Sequence, residues 1–129
     1  MSGLITSAGK NQMLYRLIGT SKTVPSVFKV GTGTTAPAAT DTDLETAVVI
    51  SGVSYTKAFA SGYPTVTESS KTLTTRCVLA STEANANTLT EFGIFNTDGT
   101  PLMFSRDTYT GIVKNAYIQV IYESVEEMV

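Results

Sequence analysis

The sequence predicts a mainly β protein, an antiparallel β-sandwich of jelly-roll-like character with one short helix near 42–48 and a short N-terminal helix or arm. Three observations carry this. From Val48 onward, runs rich in valine, threonine and aromatics alternate with polar positions. Turn signals separate the runs, notably Gly62-Tyr63-Pro64 and Asn96-Thr97-Asp98-Gly99. The length, 129 residues, suits a single domain with a real core, and we expect an arm or helix over 1–20 followed by one sandwich domain over 21–129.

Taken in order, Thr6 and Ser7 offer N-caps, Met13, Leu14, Leu17 and Ile18 follow at helical spacing, and Gly19 can end the turn. Two packed sheets already fill a sandwich core, so these four apolar side chains form a candidate interface, between subunits or with another partner. Val24, Phe28 and Val30 alternate around Pro25 as a strand that starts near an edge, and Gly31 and Gly33 end it. After the Pro37 loop, Thr42-Asp43-Leu44-Glu45 matches a capping box and predicts a one- or two-turn helix from about Asp43. Residues 48–60 and 65–80 read as strands. In the second, Leu73, Thr75, Cys77 and Leu79 share one face while Thr74, Arg76 and Val78 take the other. Residues 83–87 form a polar loop. The run "TLTEFGIFNTDGTPLMF" then carries two strands about a tight hairpin whose Asp98-Gly99 pair supplies positive φ. Ala116, Ile118, Val120 and Tyr122 make one face of a last strand.

Several chemistries are tempting and fail on their own requirements. Gly31-x-Gly33-x-x-Ala36 fits a dinucleotide fingerprint, yet Pro37 follows at once and Ser51, Gly52 and Val53 stand where the ribose-binding acid belongs. A strand end turning on two glycines explains the pattern. Asp41 and Asp43 invite calcium, but an EF-hand's sixth and twelfth positions hold Thr46 and Gly52. Glu83 and Glu91 offer a glycosidase carboxylate pair, although Glu91 alternates with Phe92 on a strand, where a salt bridge or backbone contact is the simpler role. The chain has no histidine, which removes the usual general base and every Ser-His or Cys-His pair. Cys77 is the only cysteine and reads as a small core residue, with no intramolecular disulfide to form. Tyr55, Tyr63, Tyr109 and Tyr117 suit either sugar stacking or the core edge. We therefore expect no catalytic residue, no cofactor and no metal. A net charge of -2 provides no field for nucleic acid, and no run approaches the roughly 18 apolar residues of a membrane span. Nor does the start of the chain read as a secretory signal, so synthesis and assembly in a cytoplasm are expected.

The ordered motifs "GKNQMLYRLIG", "FKVGTGTTAPAATDTDLE", "LTEFGIFNTDGTPLMFSR" and a closing strand with Gln119, Val120 and Tyr122 resemble a β-sandwich domain of tailed-bacteriophage virion structural proteins. In that group a VGxGxTxP turn, a short (S/T)DTxLxxE helix and an E-(F/I)-G-(I/L)-F strand before a DG turn recur in this order, and the resemblance spans about Ala8 to Tyr122. It implies a non-enzymatic assembly module bound to capsid, neck or tail, either a decoration or an adaptor subunit. Its partners would be itself, as a homotrimer, and other virion proteins, with no nucleic acid or membrane. Its location would be the virion, after assembly in the host bacterial cytoplasm. The alternative is a carbohydrate-binding, host-surface module of a phage tail. A fibre continues into a long repetitive shaft, so this chain is expected to be a small decoration, neck or baseplate subunit. Carried over by residue, Gly31, Gly33 and Pro37 would shape the turn and Leu44 would plug the short helix into the core. Glu91 would be a structural acid, Gly93 would allow close packing, Phe95 would anchor the core, and Gly99 would serve the DG turn.

Overall fold

Two antiparallel sheets pack face to face in the computed structural model, which describes residues 3–20 and 22–127; Ser21, the expected start of the sandwich domain, and the terminal Met1 and Val129 lie outside these. The elements are β1 (Leu4–Ile5), α1 (Ser7–Leu17), β2 (Val27–Gly31), β3 (Lys57–Ala58), β4 (Thr65–Thr67), β5 (Thr72–Leu79), β6 (Asn87–Phe95), β7 (Met103–Lys114) and β8 (Val120–Glu127). One sheet runs β1-β7-β6-β2-β3 and the other β4-β5-β8.

Alternation along the strands builds the core between the sheets. Phe28 and Val30 of β2, Phe92 and Ile94 of β6, Cys77 and Leu79 of β5, and Tyr122 of β8 are all buried there. The Phe92 ring stacks on Tyr122 with centroids 4.8 Å apart. On β5, Thr75, Cys77 and Leu79 point inward as the sequence predicts. β6 is the exception to half-burial: Glu91, Gly93 and Phe95, which face away from this core, are buried too. The chain between β2 and residue 47 lies across that outer face. There Leu44, Phe95 and Met103 form a second small cluster, with Val27 and Ala47 against it. Gly93 is what lets Leu44 in, because a Cβ at Gly93 would sit 3.0 Å from Leu44 Cδ2 and 3.0 Å from Phe95 Cε1.

The helix α1 forms as its sequence predicts. The Thr6 hydroxyl caps it, accepting from the Gly9 amide at 3.0 Å while donating to the Met103 carbonyl at 2.6 Å, and Gly19 closes it at φ +78°. It docks through Gly9 and Gln12: a Cβ on Gly9 would collide with the Phe104 carbonyl, and the Gln12 amide donates to the Thr23 carbonyl. The segment is not an arm set apart from the sandwich, since β1 pairs with β7, Leu4 opposite Arg106.

Five sequence expectations are corrected. The last strand begins only at Val120, so Ala116 and Ile118 lie in the turn and loop before it and do not share its inward face. The 42–48 segment is not helical, despite its capping box, because its amides serve a distant carboxylate instead of one another. The 48–60 strand is an interrupted edge: Ala47 bridges Gly31, the chain turns out over 51–54 with Gly52 at φ +59°, and only Lys57–Ala58 returns to β2. The 65–80 strand is a hairpin, β4 and β5, folded at Lys71 with φ +55°. The tight Asp98-Gly99 turn is a wider loop over 96–102, where Gly99 keeps an ordinary φ and Asn96 does the work: its Oδ1 accepts from the Leu102 amide at 2.8 Å and its Nδ2 donates to Asp98 at 3.0 Å.

Phe95 is 1 % exposed within the outer cluster, so Phe95→Ala should lose roughly 3–5 kcal/mol through transfer and cavity terms. A urea denaturation midpoint equal to the parent's would contradict its role as an anchor.

Candidate functional site

The charged centre of the molecule is Glu91, which has no exposed surface and accepts five hydrogen bonds. Oε1 takes the Gly33 amide at 3.1 Å and the Thr46 amide at 2.7 Å; Oε2 takes the Glu45 amide at 3.0 Å and Arg106 through Nε at 3.2 Å and Nη2 at 2.9 Å. Arg106, 2 % exposed, reaches Asp41 with its remaining nitrogen at 3.0 Å, and the same Asp41 oxygen accepts the Ala38 amide at 2.9 Å. Burial works against the charge on Arg106, and its bonds to Glu91 and Asp41 more than offset that, raising its pKa. The glycines of the sequence motif are explained by the same carboxylate. A Cβ on Gly33 would stand 2.7 Å from Glu91 Oε1, and one on Gly31 would collide with that oxygen and the Thr46 carbonyl. Gly31, Gly33, Leu44, Glu91, Gly93 and Phe95 thus meet on one sheet face; Pro37 lies half-buried in the loop above it, and Gly99 stands apart in the open 96–102 loop.

Both oxygens of Glu91 are engaged by the fold itself, so the group works as a fastening of the loop to the sheet. Two further acids are paired with lysines. Asp43 pairs with Lys29 at 3.0 Å, and Glu83 with Lys57 at 2.6 Å. Burial pushes the Glu83 carboxyl up, but Lys57 and the Ala80 amide more than offset it and hold the pKa below the usual glutamate value. Glu83 and Glu91 share no partner. Cys77 is buried, and burial pushes its thiol far up, away from reactivity. Of the four tyrosines, Tyr109 is tied by its hydroxyl to Tyr122, whose pKa burial drives up to about 12, and Tyr63 lies beneath the Arg76 guanidinium at 4.9 Å. Tyr55 and Tyr117 stay exposed, on different loops.

The surface feature of note is α1. Met13 packs against the core, whereas Leu14, Leu17 and Ile18 are 60, 81 and 76 % exposed. Sequence reasoning found this stripe but missed Arg106, whose importance follows only from strand register, which sets it opposite Gly93 and beside Glu91. It also missed Glu126, a buried acid on β8 that reads in the sequence as one of several C-terminal glutamates. Among the described residues no helix is long and apolar enough to cross a membrane, and no cluster of acids or cysteine has the form of a metal site. In comparisons with known protein families, curated proteins and solved structures, the chain matches none.

Breaking a buried pair strands its partner, so Glu91→Gln should cost on the order of 3–5 kcal/mol in urea unfolding. Paired with Arg106→Met, the double variant should lose less than the sum of the singles, because the two share one network. Strict additivity would show that they do not interact. The depressed Glu83 pKa means that its stabilisation is complete above the unfolded glutamate pKa and disappears as pH falls through the lower, folded value. NMR titration should find the Glu83 carboxyl moving upward in Lys57→Met; an unmoved midpoint would remove Lys57 as the cause.

Proposed function

We propose that the chain is a non-enzymatic structural protein of a tailed-bacteriophage virion, an assembly module that binds the capsid, neck or tail. The observation that carries the reading is the exposed face of α1. The helix is already held to the sandwich by Gly9 and Gln12, so Leu14, Leu17 and Ile18 add nothing to its docking and remain as contact surface. Burying such side chains at ~25 cal/mol per Å² is worth roughly 1.5–3 kcal/mol each before ordering costs. Repetition on a symmetric particle multiplies that gain.

The virion assignment draws its support from the resemblance and from the way its motifs combine. The VGxGxTxP turn and the TDTDLETA segment, where Ala47 stands in place of the motif's final glutamate, lie close together, and the EFGIF strand is far from both in sequence, yet Gly33, Glu45, Thr46 and Glu91 form one hydrogen-bonded unit. Motifs that build a single structural device have a physical reason to recur together. The absence of catalysis is supported by Glu91, Asp41, Asp43 and Glu83, each of which is held by a cation. Partners would be further copies, as a trimer on the resemblance, and other virion proteins; the location is the virion, after assembly in the host bacterial cytoplasm.

Gold-labelled antibody on intact phage particles tests this. Label should appear at discrete, symmetry-related positions on head, neck or tail, and a Leu14→Ser/Leu17→Ser variant with the parent's thermal midpoint should be lost from particles. Protein found only in the soluble lysate would refute the proposal.

A further inference from the structure

Beside α1, between the β1 edge of one sheet and the β4–β5 hairpin of the other, lies a cleft of about 380 Å3. Its lining is chiefly apolar, including Ile5, Met13, Val66, Leu73 and Phe104, with Glu126 the acid and Lys71, which is in no ion pair among the described residues, the cation. Glu126 is 2 % exposed. Its Oε1 accepts the Ser105 and Ser124 hydroxyls at 3.1 and 2.5 Å, but its Oε2 has no hydrogen-bond partner among the described residues. A buried carboxylate oxygen left without a donor is costly. The cleft therefore suits an occupant that is apolar along its length and carries a cation at its tip.

One face of α1 has that chemistry. Lys10, Leu14 and Leu17 stand at i, i+4 and i+7, in line along the helix, and all three are exposed. Lys10 is in no ion pair among the described residues. The face does not serve its own cleft, because the α1 side chain lining that cleft is Met13. A cation-tipped apolar ridge and an acid-floored apolar cleft, both unpartnered on one chain, are complementary in charge and in polarity.

We infer that α1 of one copy seats its Lys10–Leu14–Leu17 face in the Glu126 cleft of a second copy, with the Lys10 ammonium donating to Glu126 Oε2. The inference rests on the self-association in the proposed function and not on the virion assignment. Ridge and cleft are different surfaces, so the contact is directional, and it closes either around a ring or by reciprocation across a two-fold axis. The ion pair gains because the donor arrives at an oxygen that the fold has already desolvated.

The test uses two single variants at exposed positions, Leu17→Asp on the ridge and Val66→Asp on the cleft rim, where side chains are 81 and 69 % exposed. Both should keep the parent's thermal midpoint at low concentration. By light scattering the parent should be an oligomer and each variant alone a monomer. Their equimolar mixture should give a heterodimer, through the intact ridge of one and the intact cleft of the other. Lys10→Met and Glu126→Gln should each weaken parent association about tenfold or more, with the double variant no weaker than either single. A monomeric parent, or variants that keep the parent's mass, would overturn the inference. So would a mixture that stays monomeric, which would mean that ridge meets ridge. Particle labelling with a monomeric parent would defeat this contact and leave the proposed function standing; heterodimer formation without particle labelling would do the reverse.

Discussion

The buried carboxylate of Glu91 is the constraint on which the outer half of this molecule depends. An ionised acid with no exposed surface is tolerable only if its oxygens are fully engaged, and here a cation on the neighbouring strand and three backbone amides engage them. The amides belong to both ends of the long excursion after β2, so one side chain fastens that loop to the sheet at its start and its finish. The glycines follow from this arrangement. Gly31 and Gly33 leave the space that the carboxylate fills, and Gly93 leaves the space for the Leu44 side chain that the fastened loop delivers. A loop of small polar residues is thereby ordered over a strand that would otherwise be exposed on that side.

The features legible in the sequence were those set by neighbours along the chain. Thr6 as a cap, the apolar spacing of α1, Gly19 as its end and the inward face of β5 depend on local geometry, and the structure has each of them. The motif residues around Gly33 and Glu91 were visible as a set, though the tie between them was not. Where the reading failed, a distant partner had outbid the local signal. The Thr42–Glu45 capping box offers two reciprocal bonds, but the Glu45 and Thr46 amides go to a charged acceptor on another strand, and a charge-assisted bond is the stronger. Asp41 and Asp43 in the same segment go to cations on the sheet, Arg106 and Lys29. Turns were misjudged for a related reason: Lys71 adopts a positive φ that composition assigns to glycine, while Asn96 shapes a loop that Asp98-Gly99 seemed designed to make. No single-sequence rule weighs a side chain against a register that does not yet exist.

The interior is divided in character. Aromatic and aliphatic side chains fill the middle of the sandwich, while Ser105, Ser124 and Glu126 bring polar groups between the sheets at the end near α1. Burial raises the pKa of Glu126, a consequence of holding a carboxyl where two hydroxyls only partly satisfy it. That end of the molecule is also where α1 displays its apolar side chains, so surface hydrophobicity and interior polarity occur together at one end.

The strand edges have a further consequence. β1 and β3 are two residues long and β4 three, too short to template a ladder with another chain, and the partner of β2 is broken by the excursion at 51–54. β8 is long enough, but it alternates exposed Glu123 and Glu127 with an inward Glu126. A strand added there would have to accept the carboxylates of its C-terminal half. Copies of this protein are thus discouraged from extending one another's sheets at these edges, where contacts of defined size are favoured over open-ended fibrils.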